Sequence, residues 1–411
     1  MKAPRITTIL ATVLVATFFP ASAKPLKVFI MAGQSNMQGR ARENTLPDMK
    51  SHGDTAKMLE KMINEKGEPR AIDDVWVAAL GVRKDQEEKT GPLMMGFGYD
   101  GGGGNKIGPE MGFGITMKEH LKEPILIIKT TWGGKSLCGD FRPPSAGPWD
   151  FGPGAAANDK EPEKTRQERR AQSGEYYRKM VDYIGKVCAD IKRTYPDYDP
   201  SQGYEIAGFM WLQGVSDYGD AATYPKQGEP GSYDEYSRLL ECLIRDLRKD
   251  LKTPTMPVVI GVLGISGDLQ HMDEKVVPWT REFRKAMAAP ASKPEFKGNV
   301  AALHTEKFWE PKLEELQLRF EDYKKLIDEI KTEQIADMKE KPSLRKVSLT
   351  DESQAKLEAR RKRIYSDDEW KLMETGISNA AYHYLGSYKI YSRIGKGFAD
   401  SLFEMSTPAN Q

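Results

Sequence analysis

Cysteine and unbalanced charge are both scarce in this chain, and each scarcity excludes a class of protein. Three cysteines occur in 411 residues, at Cys138, Cys188 and Cys242, too few for a disulfide framework and without the close pairs of a zinc site. The sequence is compatible with one disulfide or with three free thiols. The apolar helical surroundings of Cys188 favour a buried thiol there. The formal net charge is +1, so there is no electrostatic reason to expect a nucleic acid or an anionic membrane as partner.

The N-terminus has the pattern of an export signal. Lys2 and Arg5 precede an apolar stretch that ends near Phe19, and the small residues Ala21–Ala23 follow. A positive start, a short apolar stretch and a small-residue cleavage site are typical of a secretory signal peptide. We therefore predict cleavage after Ala23 and a secreted or periplasmic protein. Because no later apolar run approaches the length of a membrane-spanning helix, we expect no membrane association of the mature form.

Short apolar runs alternate with amphipathic helical patterns along the chain. Five runs consist largely of β-branched and other apolar residues: 27–32, 124–130, 206–212, 256–264 and 298–303. Runs of this length and composition are typical of strands covered on both faces. Segments 176–195 and 236–251 place apolar residues at helical spacing. The alternation predicts an α/β fold with a mostly parallel sheet and helices on both sides.

Three segments interrupt this alternation. Residues 84–106 contain a glycine run without the Gly-Lys-Ser/Thr ending of a phosphate-binding loop, so we interpret them as a flexible loop. Residues 139–174 are rich in proline, glycine and charge, which favours a long surface loop. Residues 306–373 are dominated by Glu, Lys and Arg, with Leu and Ile at helical spacing. We predict a charged helical insertion, a structural arm or a partner-binding surface, that divides one domain into 24–305 and 374–411.

Polar residues follow the ends of the predicted strands. Ser35 comes directly after the first strand, Gly134 belongs to a glycine pair after the second, and Gln213 follows the third. His383 stands just ahead of a C-terminal helical pattern. Since ligands bind beyond the carboxyl ends of parallel strands, we expect these groups at one edge of the sheet. Acyl transfer needs a hydroxyl nucleophile, a base and donors for the developing oxyanion, although a serine in such a place is commonly only a helix cap.

Five blocks of sequence carry a family resemblance. They are GQSNMQGR, IGPEMGFG, KTTWGGKSL, GFMWLQGVSD and YHYLG followed by IGKGFADSL, and they are spread between residues 27 and 402. Together they resemble the sialate O-acetylesterase-like family, which overlaps carbohydrate esterase family 6 within the SGNH hydrolases. The secreted members of planctomycete-type, polysaccharide-degrading bacteria are especially similar.

The resemblance implies a three-layer α/β/α, flavodoxin-like fold and a serine esterase that removes acetyl groups from carbohydrates. It implies an acetyl-enzyme intermediate, an acetylated carbohydrate as substrate, and no cofactor or metal. Matched motif by motif, Ser35 is the nucleophile and His383 the general base. The oxyanion hole would be formed by the backbone amides of Ser35 and Gly134 and the side chain of Gln213. Four further residues are candidate substrate contacts: Gln34, Asn36, Lys135 and Arg142.

Two acidic positions of the family pattern are not acidic here. Ala380 stands where many relatives have Asp three residues before the catalytic histidine, and Val215 stands where many have Glu. We expect Asp217, in the loop after the third strand, to orient His383, although capping of a turn explains Asp217 equally well. A backbone carbonyl or Asn379 in place of the acid is a further alternative.

The missing acid leaves a second function open, namely a carbohydrate-binding protein that has lost hydrolysis and uses residues 306–373 as its working surface. The intact Ser35, Gln213 and His383 favour the enzyme. A lipase or thioesterase of the same superfamily is a weaker hypothesis, because no apolar lid segment is evident.

Three other residues have open roles. His271 and His304 also follow predicted strands, so each is a further candidate for a substrate contact or for the base. Glu110, in the block IGPEMGFG, is a candidate structural partner in the floor of the site.

Overall fold

The computed structural model describes residues 24–83, 87–149, 163–336 and 338–407. The predicted signal peptide, 1–23, lies outside the described residues. Within the described part, the strands are β1 (Leu26–Gly33), β2 (Val75–Leu80), β3 (Glu88–Pro92), β4 (Ile125–Thr131), β5 (Tyr204–Leu212), β6 (Val258–Val262) and β7 (Val300–His304).

The helices surround these strands in sequence. They are α1 (Ser35–Gln38), α2 (Gly53–Met62), α3 (Pro109–Leu121), α4 (Glu163–Gln172), α5 (Glu175–Ala189), α6 (Val215–Tyr218), α7 (Asp234–Asp250), α8 (Val277–Ala288), α9 (Pro311–Leu318), α10 (Phe320–Gln334), α11 (Asp351–Arg361), α12 (Asp367–Gly376) and α13 (Tyr388–Ser406).

The described strands form one sheet with the order β3-β2-β4-β1-β5-β6-β7. Its pairings are parallel except that β3 runs antiparallel to β2 at one edge. Helices α5, α7 and α8 cover one face, and α2, α3 and α13 cover the other. The predicted α/β fold with a three-layer, mostly parallel architecture is confirmed.

Strand β1 shows why the apolar runs are continuous. Val28, Ile30 and Ala32 belong to the core on one face of the sheet, and Phe29 and Met31 belong to the core on the other. All five side chains are buried. Successive side chains of a strand point to opposite faces, so a strand covered on both faces needs apolar residues at every position.

Helix α13 is held close to α3 by glycines. A Cβ at Gly112 of α3 would lie 2.0 Å from the Ser392 carbonyl oxygen, and a Cβ at Gly395 of α13 would lie 2.1 Å from the Pro109 carbonyl oxygen. No side chain fits between these backbones, so the two helices pack in direct contact. The position of α13 in turn places the segment that precedes it, which carries His383.

The five predicted strands and the two predicted helices are confirmed. Strands β2 and β3, which form the edge of the sheet away from β7, were not predicted. Strand β2 has the apolar sequence VWVAAL, a signal that the sequence does carry, and β3 lies within the segment interpreted as a loop at 84–106. Residues 163–172, predicted as surface loop, form α4 instead. Residues 84–86 and 150–162 of those two predicted loops lie outside the described residues.

The charged segment after β7 is helical over most of its length. Helices α10 and α11 pack through Leu326, Ile330 and Leu357, and Arg360 Nη1 lies 2.7 Å from Glu333 Oε1 on their surface. Its boundaries as an insertion and its role stay predictions.

The three cysteines form no disulfide. Cys138, Cys188 and Cys242 are all free thiols, and Cys188 is only partly buried.

Across the described ranges, every helix is too short or too polar to cross a lipid bilayer.

Candidate active site

Ser35 lies on a tight turn between β1 and the short helix α1. Gly33 has a φ of +151°, and a Cβ there would lie 2.2 Å from the Leu212 carbonyl oxygen at the end of β5. Only glycine allows the ends of these neighbouring strands to approach so closely. Gln34 Oε1 accepts hydrogen bonds from the backbone of Gly214 (3.0 Å) and Ser216 (3.2 Å). The turn that presents Ser35 is therefore tied to the loop after β5.

A pocket of about 470 Å³ opens at the carboxyl edge of the sheet, beside this turn. Its wall comes from the segments after β1, β2, β4 and β5 and from the turn before α13, and it includes Ser35, Gly134, Val215 and His383. Three of the predicted site residues, Ser35, Gly134 and His383, thus meet in one hollow. Among the described residues no hydrogen bond joins Ser35 to His383; such bonds commonly tighten only when substrate is bound.

Asn379 orients the imidazole of His383. The Nδ1 atom of His383 lies 2.9 Å from Asn379 Oδ1, and the same oxygen accepts the backbone N–H of Ala380 at 2.9 Å. Because that backbone bond requires the oxygen, not the NH₂, at this place, we assign the proton to Nδ1 of His383. The Nε2 atom is then left unprotonated and can act as a base.

The turn that follows His383 is strained and firmly held. Tyr384 and Leu385 have φ values of 49° and 59°, a left-handed conformation that non-glycine residues rarely adopt. The buried Tyr384 hydroxyl accepts the backbone N–H of Gly264 at 3.0 Å and lies 2.6 Å from Thr305 Oγ1. These contacts with the loops after β6 and β7 stabilise the turn and thereby fix the His383 side chain.

Asn36 links the serine turn to the histidine turn. Its Nδ2 donates to the Tyr382 carbonyl at 3.0 Å, and its Oδ1 accepts from the Tyr391 hydroxyl at 3.0 Å. The hydroxyl oxygen of Tyr391 also lies 3.2 Å from the carbonyl oxygen of His383. Asn36 was predicted to contact substrate; the structure instead places it, buried, between the two segments that carry the predicted nucleophile and base.

Asp217 does not lie beside His383, contrary to our expectation. Its carboxylate is buried and accepts the backbone N–H groups of Leu137 (2.8 Å) and Cys138 (3.0 Å) and the Gln213 Nε2 group (2.6 Å). Burial raises the pKa of Asp217, while these three donors act in the opposite direction. Asp217 therefore anchors the loop after β4 to the loop after β5, and Asn379 takes the place that we had assigned to it.

Gln213 is fully engaged inside the protein. Its Nε2 atom lies within hydrogen-bond distance of Asp217 Oδ2 (2.6 Å), the Lys135 carbonyl (3.1 Å) and Gln34 Oε1 (3.1 Å). An amide NH₂ has only two hydrogens, so none is left for an oxyanion, and the predicted role of Gln213 as an oxyanion donor does not fit this geometry. Gln213 supports the loops around the pocket instead. Gln34 also holds the loop after β5, but it lies in the pocket wall, so its contact with substrate stays a prediction.

The backbone donors predicted for the oxyanion hole are available. Within the described part of the chain, the N–H groups of Ser35 and Gly134 donate no hydrogen bond to a backbone or side-chain acceptor. Both residues line the pocket, and Gly134 has a φ of +73°; apart from its chain neighbours, no described residue has an atom within 4 Å of where a Cβ would be. Two unpaired amides beside a hydroxyl are the arrangement that stabilises a developing oxyanion.

Lys135 and Arg142 serve the loop after β4, not the pocket. Lys135 Nζ pairs with Asp140 at 3.3 Å. The buried Arg142 donates to the carbonyls of Cys138 (2.9 Å) and Gly147 (2.6 Å). The wall of the pocket includes neither residue, so their predicted contacts with substrate are not supported.

Arg40 and Tyr99 form a wall of the pocket that we did not predict. The Arg40 guanidinium lies 3.7 Å from the centre of the Tyr99 ring, and its Nη2 donates to Gln38 Oε1 at 2.8 Å. The buried Nε of Arg40 has no hydrogen-bond partner among the described residues, and burial lowers the pKa of Arg40. Arg40 closes the block GQSNMQGR, which was the available sequence signal, whereas the contribution of Tyr99 depends on the folding of a glycine-rich loop.

A buried ion pair lies beneath the serine turn. Lys129 Nζ lies 2.7 Å from Glu110 Oε2 and donates to the carbonyls of Gln38 and Phe97 at 2.8 Å each. Glu110 is therefore a structural partner under the site, the role that we had considered for it. His271 and His304 lie outside the pocket wall, and His304 pairs with Glu306.

Over the ranges that the structure describes, no group of three or more His, Cys, Asp or Glu side chains is arranged to hold a metal ion.

Comparison with known proteins agrees with the sequence motifs. A family model described as carbohydrate esterase, sialic acid-specific acetylesterase, matches residues 25–307. This range contains the Ser35 and Gly134 segments and ends before His383. No curated protein matches the chain significantly.

Two solved structures match part of the chain. One, from Arabidopsis thaliana, is 17% identical with a TM-score of 0.35, and the alignment covers 68% of this chain and 86% of that one. The other, described as a carbohydrate acetylesterase from Xanthomonas citri, is 12% identical with a TM-score of 0.37. That alignment covers 69% of this chain but only 51% of the other, so this chain spans about half its length.

Proposed function

The chain belongs to the carbohydrate esterase family described as sialic acid-specific acetylesterases, and from this premise we propose that it is a serine esterase that removes O-acetyl groups from carbohydrates. One observation carries the serine mechanism: Ser35 and His383, from opposite ends of the chain, line a single pocket. The unpaired backbone amides of Ser35 and Gly134 in the same wall support it further.

In the proposed mechanism, Ser35 Oγ attacks the carbonyl carbon of the acetyl ester while His383 Nε2 takes its proton. The oxyanion accepts hydrogen bonds from the N–H groups of Ser35 and Gly134. The bond between the carbonyl carbon and the sugar oxygen then breaks, and His383 returns the proton to that oxygen. A water molecule, deprotonated by His383, attacks the acetyl-enzyme, releases acetate and restores Ser35.

Asn379 gives this mechanism a Ser-His-Asn arrangement. Its oxygen holds Nδ1–H of His383 and so selects the productive tautomer, but a neutral amide stabilises the imidazolium less than a carboxylate does. We therefore propose a working but slower base than a Ser-His-Asp site would have. The same observation favours the rival hypothesis, a carbohydrate-binding protein, so the two need a direct test.

Export is part of the proposal. The pattern of residues 1–23 supports a secreted or periplasmic location, where polymeric carbohydrate substrates would be accessible.

Acetate release together with covalent labelling tests the proposed function. Protein beginning at residue 24 should release acetate from acetylated xylan, from other acetylated glycans or from O-acetylated sialic acid, and diisopropyl fluorophosphate should label the peptide that contains Ser35. The His383→Ala variant should be labelled far more slowly, because its hydroxyl is no longer activated. Absence of both acetate release and labelling, with binding of the same glycans seen by calorimetry, would leave the binding protein as the function.

The acid limit of activity should lie unusually low. Burial, and secondarily the positive charge of Arg40, lowers the pKa of His383 to about 4. Because the base must be unprotonated, a lowered pKa preserves activity to lower pH: kcat/KM for acetyl esters should stay level well below pH 6.5, the ordinary value for histidine, and fall only as pH approaches about 4. The measurement is kcat/KM against pH by quenched assay of acetate.

Asn379→Asp provides the directional check on this profile. A carboxylate beside Nδ1 favours the protonated imidazole and should move the acid limit upward. His304→Gln, which removes a histidine that pairs with Glu306 outside the pocket, is the matched control and should leave the limit in place. An acid limit between pH 6 and 7 in the unmodified protein would contradict the environment assigned to His383.

A further inference from the structure

A second, mainly apolar cavity adjoins the pocket at Ser35. Its volume is about 250 Å³, and it shares Val215 and Tyr382 with the first pocket. Val215 and Tyr382 therefore belong to the walls of both hollows. Tyr382 is 54% exposed, so this shared wall is not sealed inside the protein.

The wall of the second cavity consists mostly of side chains without polar atoms. Its apolar members include Leu263, Ile265, Met272, Val276 and Phe283. Burial of a hydroxyl-rich ring among such groups would leave its hydroxyls without partners, which is costly. This environment suits an apolar group rather than a sugar.

The polar side chains of the same wall are largely committed to each other or to the backbone. Tyr218 and Thr280 share a hydrogen bond of 3.0 Å. Arg284 donates to the carbonyls of Leu263 (2.7 Å) and Ile265 (3.1 Å). The hydroxyls of Ser266 and Tyr382, the other two polar side chains of this wall, make no hydrogen bond within the described residues and are the donors left for an occupant.

The two sides of Ser35 differ in chemistry because different strands supply them. Toward β2, the first pocket is walled by Arg40, stacked on Tyr99, and by Arg83, which follows β2. Toward β5 and β6, the wall is Val215 and then the loop after β6 that contains Ile265. An ester of this kind has a polar part, the sugar alcohol, and an acyl part. A polar wall favours binding of the sugar, and an apolar wall favours binding of the acyl group.

We propose that the cavity beyond Val215 binds the acyl group of the ester, and that this esterase accepts, in addition to acetyl, larger acyl groups: short alkyl or aromatic acyl chains. The proposal rests on the proposed Ser35-dependent hydrolysis and adds its acyl preference. An apolar cavity of roughly 150 Å³ holds a benzene molecule, so the 250 Å³ here far exceeds one methyl group. The sugar then lies on the Arg40 side.

A series of p-nitrophenyl esters tests the acyl assignment, because the alcohol is constant and only the acyl group changes. From acetate through butyrate to hexanoate and benzoate, kcat/KM should rise by about tenfold or more, the effect of added apolar atoms in a fitting pocket. Val276→Trp fills the cavity from a position that is 38% exposed, so the fold should tolerate it. It should lower the hexanoate-to-acetate ratio of kcat/KM by about tenfold or more.

Two further variants separate filling of the cavity from a general effect of adding a tryptophan. Glu274→Trp adds the same ring to an exposed position of the same loop that does not line the cavity, and it should leave the ratio unchanged. Met272→Trp fills the cavity from another position and should repeat the effect of Val276→Trp. Circular dichroism and melting temperature establish that each variant is folded.

Two results would overturn the proposal. The first is a wild-type preference for acetate together with a ratio that neither filling variant changes. The second is a change in the relative rates of methyl, butyl and hexyl acetate instead, which would assign the cavity to the alcohol. Failure of the proposed function looks different: no ester would be hydrolysed, or hydrolysis would persist in Ser35→Ala.

Discussion

Ser35→Ala should lower kcat for acetyl esters by at least about 10,000-fold, and His383→Ala should have an effect of similar size. Removal of the hydroxyl eliminates the covalent route, and removal of the imidazole leaves the hydroxyl without a proton acceptor. Both groups line the same pocket, so they should act as one unit. Initial rates with p-nitrophenyl acetate, corrected for spontaneous hydrolysis, measure both losses.

The double variant is the sharper test of this unit. Residues that act together are strongly non-additive, so Ser35→Ala/His383→Ala should be little worse than either single variant. Ser216 is a second serine in the pocket wall and gives a comparison within the same hollow. A loss in Ser216→Ala as large as that in Ser35→Ala, or independent and multiplying effects at 35 and 383, would refute the assignment.

Lys129→Met should destabilise the protein by about 3–5 kcal/mol. The Lys129 and Glu110 side chains are fully buried and lie 2.7 Å apart. Methionine fills the space but leaves the Glu110 carboxylate in the interior without its counter-charge. The carbonyls of Gln38 and Phe97 lose a donor as well. The midpoint of urea denaturation, with an unchanged slope, measures the loss.

Removal of the second charge should recover part of that loss. In Lys129→Met/Glu110→Gln the buried charge is gone, and Gln can still accept the Gly108 N–H that now bonds Glu110 at 2.8 Å. The double variant should therefore be more stable than Lys129→Met. Equal stability of the two would show that the lost donors, not the uncompensated charge, cause the effect.

The same substitution should also lower activity in protein that remains folded. Lys129 donates to the carbonyl of Gln38, the last residue of the helix that begins with Ser35. Loss of this bond loosens the end of the serine turn, and small displacements of catalytic groups are costly.

The partner of the predicted base, His383, shows where the first choice from the sequence was wrong. Asp217 was chosen because it is acidic and follows the strand next to β1. The side chain beside Nδ1 of His383 is instead Asn379, four residues earlier in the sequence, which had been considered only as an alternative. The backbone around Ala380 decides which side chain meets Nδ1. The turn after His383, which also places the imidazole, depends on contacts of Tyr384 with the distant residues Thr305 and Gly264.

Local patterns in the sequence determined the α/β fold, the central strands and the place of Ser35. An apolar run covered on both faces has to be a buried strand, and a glycine followed by a short polar segment has to be a turn, wherever the rest of the chain lies. Only the tertiary structure decided that Gln213 and Asp217 support loops and that Arg40 stacks on Tyr99. These facts depend on which free donors and acceptors are already satisfied by partners far away in sequence, and no short-range pattern carries that information.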